Sequence, residues 1–157
     1  MEITFTKGSG KYGTLKCTRN DHSSTETKMP EQGIAPHDMI HFVVEKTLNI
    51  NGAFYGQLKA GANISFKLEH NESSKEVADK IEVWQTESMV ESLQSLLWSH
   101  SLDHENFVYL VGEACTSRKI TQPAVSEREF LEIKALLLDL NTQWSDLQCG
   151  QSIKVTF

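Results

Sequence analysis

Four titratable side chains in one short segment could do chemistry together. His37, Asp38, His41 and Glu45 lie in the stretch PHDMIHFVVE, which begins at Pro36. On a helix, residues four apart project from neighbouring turns, so the two imidazoles and Glu45 would form one ridge, with Asp38 beside it. Two histidines at this spacing can bind one divalent ion from a single helix, as in the HExxH pattern. The segment therefore indicates a metal site or an acid/base site.

The ligand set of such a site is incomplete within the segment. Asp38 stands where HExxH has a longer Glu, and Glu45 lies two turns beyond His37. We therefore expect His37 and His41 to bind one divalent ion, zinc by preference, with His104 as the third ligand. Asp38 or Glu45 would then act as a catalytic base, in hydrolytic or acid/base chemistry, or as an orienting partner of a ligand. The other candidates for an outside ligand are His100, Glu87, Glu91 and Glu113.

Two alternatives for the ridge need no metal. Asp38 near a helix start interacts favourably with the helix dipole, and His41 beside apolar residues can donate to a backbone carbonyl or to Glu45. The ridge would then be structural, and short motifs of this kind do match by chance. Because a free imidazole has a pKa of about 6.5, the ridge could also transfer protons without a metal. The sequence does not decide whether a reaction is catalysed.

A non-enzymatic binding module is the competing function. By helical spacing Phe42 points away from the side of Ile40 and Val44, and Phe54 and Tyr55 follow on the next element. Phe42 either meets a second packing partner or is exposed. If the three rings are exposed, they form a surface for a small molecule, for another protein or for a second copy of the chain as a homodimer.

Charge and cysteine content exclude several classes of function. The net charge is -6 and the 15 Lys and Arg residues are scattered, which disfavours nucleic acid and anionic membrane surfaces as partners. Cys17, Cys115 and Cys149 are odd in number and far apart, as expected of reduced thiols in the cytoplasm. There is no signal-like start, no apolar run of the roughly 20 residues that span a bilayer, and no GxSxG, Walker A or GxGxxG motif.

The elements that must position the ridge are strands, then helices, then a last strand. Ile3 and Phe5 alternate with polar residues before a glycine-rich turn, and Ile153 and Val155 alternate again at the end. This order predicts one α+β domain over residues 1–157. Its small antiparallel sheet is formed by the N-terminal hairpin and meander with the C-terminal strand, and four to five helices pack on one face.

Capping signals and apolar spacing predict the helices. Pro36 begins the ridge helix, a short helix ends at Gly61, and another follows Asp103. Capping boxes at Ser73 and Ser126 open two long helices, the second of which would end at Gly150. The expected buried face of the first long helix is Val77, Ile81, Trp84, Leu93, Leu96 and Leu97. That of the second is Phe130, Ile133, Leu137, Leu140, Trp144 and Leu147. The three tryptophans, Trp84, Trp98 and Trp144, are all expected in the core.

Residues 36–61, PHDMIHFVVEKTLNINGAFYGQLKAG, resemble a family of small uncharacterised bacterial proteins. These proteins have a PHDLxHFxVE-like motif followed by a GxFxGxxAxG-like stretch. Near the start, LKCTRNDHS resembles their TCTRxDGS-like strand pair, with His22 in the place of the usual glycine. The resemblance covers roughly the first third of the chain and implies no activity, since none is established for the family. It marks His37, Asp38, His41 and Glu45 as motif positions.

Overall fold

A four-stranded antiparallel sheet forms one layer of the protein, in the order β3-β2-β1-β4. The computed structural model describes residues 1–64 and 80–157. The strands are β1 (Glu2–Thr6), β2 (Tyr12–Thr18), β3 (Ser24–Pro30) and β4 (Ser152–Thr156). Ile3 pairs with Cys17 on one side and with Val155 on the other, so the last strand lies next to the first. The predicted sheet closed by both ends of the chain is confirmed.

Alternation along the strands gives the sheet one buried face. Side chains two residues apart point to the same face, and the inward positions carry apolar residues. These buried residues are Ile3, Phe5, Leu15, Cys17, Met29 and Ile153. The chain ends also meet: the Met1 ammonium donates to the Phe157 carbonyl at 2.8 Å, and the Phe157 N–H donates to the Met1 carbonyl at 2.9 Å.

The helices cover that buried face. They are α1 (His37–Thr47), α2 (Phe54–Lys59), α3 (Lys80–Trp98), α4 (His104–Arg118) and α5 (Glu127–Asp146). A four-stranded sheet with helices on one face confirms the predicted α+β class. In the two described ranges, no helix is long and apolar enough to cross a membrane.

Helix α1 is the central helix of the layer. It packs against α2, α3 and α5, and every residue from Met39 to Glu45 is buried. A helix that is buried all round is normally apolar all round. The buried His41 and Glu45 are therefore exceptions whose polar atoms need partners.

Helix α5 closes the layer as the sequence predicts. The Ser126 hydroxyl accepts from the Glu129 N–H, and the Glu129 carboxylate accepts from the Ser126 N–H at 2.8 Å, which completes the capping box. The buried residues are Phe130, Ile133, Leu137, Leu140 and Trp144, while Leu147 is partly buried against the core. The helix ends earlier than predicted, at Asp146, and Gly150 (φ +83°) instead belongs to the turn that leads into β4.

Two residues of α3 correct the predicted buried face. Ile81 and Trp84 are 53% and 46% exposed, because the buried side of the helix runs through Met89, Val90, Leu93, Leu96 and Leu97. The Trp84 ring lies 5.7 Å from the Arg118 guanidinium carbon at the surface. Trp98 is also exposed, so only Trp144 among the tryptophans is in the core. Val77 and the predicted capping box of Ser73 and Glu76 lie outside the described residues.

The turn between β2 and β3 connects α2 to the sheet through hydrogen bonds. Arg19, at the end of β2, donates through Nε to the Leu58 carbonyl at 2.6 Å and through Nη2 to the Ala62 carbonyl. His22 has a φ of +66°, the left-handed conformation that glycine adopts most easily. The turn therefore forms with His22 where the resembling family has glycine.

Candidate metal centre

Helix α1 places the two histidines of the ridge side by side. Pro36 precedes the helix with a φ of -58°, so His37 occupies the first turn and His41 the second. The two imidazole centroids are 4.9 Å apart, with the rings at 68° to each other. The expected neighbouring positions on one helix face are confirmed.

The third member of the site comes from α3. One carboxylate oxygen of Glu87 lies 3.1 Å from His41 Nε2, and the other lies 3.3 Å from His37 Nε2. One ligand atom of each of the three residues lies within 4.8 Å of the others, so the group could hold a metal ion. Over residues 1–64 and 80–157 it is the one group of three or more His, Cys, Asp or Glu side chains that meets this condition.

The other nitrogen of each ring faces a different oxygen. His41 Nδ1 is 3.2 Å from Glu45 Oε1, and His37 Nδ1 is 2.9 Å from Gln94 Oε1. Gln94 in turn donates through its amide nitrogen to Gln32 Oε1, which fixes its amide oxygen toward the imidazole. All four imidazole nitrogens of the pair therefore face oxygen acceptors.

That arrangement favours positive charge in the cluster. A neutral imidazole has one N–H, so it can satisfy only one of the two oxygens it faces, and a carboxylate is acceptor-only when ionised. The oxygens are satisfied if both rings carry two protons, or if a bound cation takes the place of the Nε2 protons beside Glu87. In the second case the Nδ1 protons stay on the bonds to Glu45 and Gln94.

Without a metal, the charges of the cluster shift in a consistent way. Burial disfavours charge on His41, but hydrogen bonds to Glu45 and Glu87 outweigh it and raise its pKa to about 9. The pKa of His37 is also raised, since the bond to Glu87 overcomes the effect of burial. The hydrogen bonds from His37 and His41 hold the pKa of Glu87 far below its ordinary value. The metal-free cluster is thus an ion-pair network.

Glu45 is the most deeply placed member of the ridge. Its side chain is fully buried, and this burial raises its pKa. Oε1 bonds His41, while Oε2 accepts from the Tyr55 N–H at 2.8 Å and from the Gly56 N–H at 3.4 Å. Because both oxygens are already engaged away from solvent, Glu45 is placed to orient His41 rather than to act as a base.

The outer side of the site is open to solvent. The side chains of His37 and Glu87 are 33% and 28% exposed, whereas that of His41 is 8% exposed. An ion held here would have protein ligands on the inner side and room for water on the outer side. Asp38, next to His37, is partly buried; burial raises its pKa, and the two imidazoles oppose that shift.

The structure does not bring His104 to this group. His104 Nε2 lies 3.0 Å from the Val125 carbonyl, and its ring packs 5.4 Å from the Phe130 ring at the start of α5. Glu87, one of the alternative outside ligands, holds the place expected for His104. The sequence does not show which face of α3 packs against α1. No periodic pattern near Glu87 distinguishes it from Glu91, which forms an ion pair with Arg118 instead.

The aromatic residues of α1 and α2 are not a surface. Phe42 is 4% exposed and Tyr55 is fully buried, with their rings 6.3 Å apart in an edge-to-face contact. Phe54 is partly buried against the core and lies 5.4 Å from the His41 ring. Of the two alternatives for Phe42, the second packing partner is the one found. The binding surface expected from these rings is therefore not available.

Comparisons with protein-family models, with curated proteins and with solved structures gave no match for this chain.

Proposed function

We propose that this protein binds one divalent transition-metal ion, zinc by preference, through His37 Nε2, His41 Nε2 and a carboxylate oxygen of Glu87. The observation that supports this most is the orientation of the two rings. Both Nε2 atoms turn toward one carboxylate, while both Nδ1 atoms meet oxygen acceptors. Such acceptors fix the Nδ1–H tautomer and leave the Nε2 lone pairs for an ion.

The ligand types favour zinc over magnesium or calcium. Imidazole suits zinc and its neighbours in the first transition row, whereas magnesium and calcium prefer sites made of oxygen ligands. Three protein ligands with an open position are typical of catalytic zinc sites, while structural sites have four. The exposed edges of His37 and Glu87 agree with an open position.

Water activation is the chemistry that this ligand set supports. A zinc ion held by His37, His41 and Glu87 would supply a bound water with a pKa lowered to about 7, and so a nucleophile for hydrolysis. Asp38 follows His37 directly and is the side chain that we propose as proton acceptor, because both oxygens of the alternative, Glu45, are already engaged by His41 and the first turn of α2. Glu45 takes the orienting role in place of a catalytic one.

Zinc titration of metal-stripped protein tests the ligand set. We expect one zinc per chain for the unchanged protein, measured by calorimetry with a competing chelator. Glu87→Ala should weaken binding at least about 100-fold, since loss of an orienting residue alone costs about 10-fold to 100-fold. His104→Ala is the matched control and should bind zinc like the unchanged protein.

Two outcomes would overturn the proposal. Absence of zinc binding by the unchanged protein would leave the cluster as a structural ion-pair network. If His104→Ala lost zinc while Glu87→Ala kept it, the ligands would be His37, His41 and His104, and Glu87 would not be one of them.

A further inference from the structure

Glu45 is in contact with both the proposed metal ligand His41 and helix α2. Its carboxylate joins His41 Nδ1, at 3.2 Å, to the backbone N–H groups of Tyr55 and Gly56, at 2.8 and 3.4 Å. Ala53, which precedes α2, makes no side-chain capping bond. The first N–H groups of α2 are therefore satisfied by a side chain from α1, through the same carboxylate that orients the imidazole.

We infer that Glu45 is a positioning residue that couples metal binding to the docking of α2 on α1. The inference rests on the proposed metal site and adds a dependence between that site and a neighbouring helix. His41 can present Nε2 to the ion only while its Nδ1 bond to Glu45 holds the ring, and Glu45 is held in turn by α2.

The remaining contacts of α2 extend the coupling to both of its ends. The Tyr55 hydroxyl donates to the Asp38 carbonyl at 2.8 Å, so α2 also contacts the first turn of α1, beside His37. At its other end, Arg19 donates to the Leu58 and Ala62 carbonyls. A change that loosens α2 at Arg19 should therefore reach His41 without touching any proposed ligand.

Linkage sets the size of the effect. Loss of a side chain that orients a metal ligand typically weakens metal affinity about 10-fold to 100-fold. We expect undocking of α2 to weaken zinc affinity by a factor of this size, and because coupling between two equilibria is reciprocal, zinc must then favour docked α2 by the same factor. Zinc should thus slow the local opening of α2 by about 10-fold or more.

Zinc affinity of three variants is the first test. Glu45→Gln removes the charge but keeps an oxygen acceptor, and we expect its zinc affinity to fall about 10-fold to 100-fold. Arg19→Met should also weaken zinc binding, by several-fold, because α2 is less firmly docked. Lys154→Met, which removes an exposed ion pair with Glu2 on the sheet, is the control and should bind zinc like the unchanged protein.

Amide hydrogen exchange with and without zinc is the second test. We expect the Tyr55 and Gly56 amides to exchange about 10-fold more slowly with zinc, under conditions where amides of α5 such as that of Leu137 are unchanged. If the unchanged protein binds zinc but Arg19→Met has the same affinity and these two amides are not slowed, the coupling is wrong and the metal site stands. If the unchanged protein binds no zinc, the proposed function itself fails.

Discussion

The buried pair of His41 and Glu45 is the feature of single residues on which the site depends. An ion pair taken out of water stabilises little by itself, but removal of one partner leaves an uncompensated charge and typically costs about 3–5 kcal/mol. Here both carboxylates that face His41 are held by further contacts, to α2 and to His37. The stabilisation that this pair gives the fold therefore depends on whether the His41 imidazole is protonated.

Metal-free protein should lose stability as the pH rises from neutral. The pKa of His41 is raised from 6.5 to about 9 in the folded chain, so its contribution is complete below about pH 6.5 and disappears as the pH passes 9. The loss is up to about 3 kcal/mol, since one pKa unit corresponds to about 1.4 kcal/mol. Urea unfolding at several pH values between 6 and 9.5, in the presence of a chelator, measures it.

The lowered pKa of Glu87 has the opposite sign. Its contribution is present above its unfolded pKa of about 4.5 and is lost as the pH falls further.

His41→Gln is the control for the predicted loss of stability at alkaline pH, and the free energy of unfolding of this variant should change much less between pH 6.5 and 9. An unchanged protein whose stability is level over that range would contradict the charge assignment of the cluster.

The three thiols should differ in reactivity. Burial raises the pKa of Cys17 to about 12, Cys115 is also buried, and Cys149 is exposed. Because the thiolate is the reactive form, a disulfide reagent such as DTNB should modify one thiol per folded chain and three after denaturation. Cys149→Ser should leave none reactive in the folded chain. Rapid reaction of two or three thiols under native conditions would contradict the described burial.

At the scale of elements, close packing of the loop before α2 explains why a glycine stands at position 56. A Cβ on Gly56 would lie 1.9 Å from the Asn51 carbonyl oxygen, closer than any real contact. The Gly52 N–H donates to a Glu82 carboxylate oxygen at 2.7 Å, so the same loop also contacts α3. The motif residues of α1 and the glycines that follow are thus parts of one packed unit around Glu45.

Gly56→Ala should therefore be strongly destabilising. The backbone of Asn51 must move to admit the methyl group, and that movement disturbs the bonds from Tyr55 and Gly56 to Glu45. We expect a loss of about 3 kcal/mol or more in the free energy of unfolding, in the range of severe steric substitutions. Gly10→Ala is the matched control, because nothing lies within 4 Å of its added Cβ. Equal midpoints of thermal unfolding for the two variants would contradict this account of the loop.

At the scale of the whole molecule, local sequence patterns predicted the helices and strands better than they predicted which helix faces pack together. Alternation in the first and last segments predicted the sheet, and the capping box at Ser126 with its apolar stripe predicted α5. The spacing of His37 and His41 also predicted that the two imidazoles lie side by side. These features depend on residues that are close in the chain or on the simple polarity of one face.

The remaining features depend on distant contacts. Trp84 matches an apolar stripe, yet it is exposed beside Arg118 because α3 turns its other side to the core. His104 and Glu87 are both polar residues in or next to helices, and only the packing of α3 on α1 decides that Glu87 meets the imidazoles. Neither orientation leaves a periodic signal in the sequence.

Anomalous diffraction from crystals grown with zinc would test the central claim most directly. Data collected on both sides of the zinc absorption edge locate the metal independently of the atoms around it. We predict one strong peak per chain, about 2.0–2.2 Å from His37 Nε2, His41 Nε2 and a Glu87 oxygen, with Glu45 still bonded to His41 Nδ1. No peak between those three side chains, or a peak at His104 or Cys149 instead, would contradict the account.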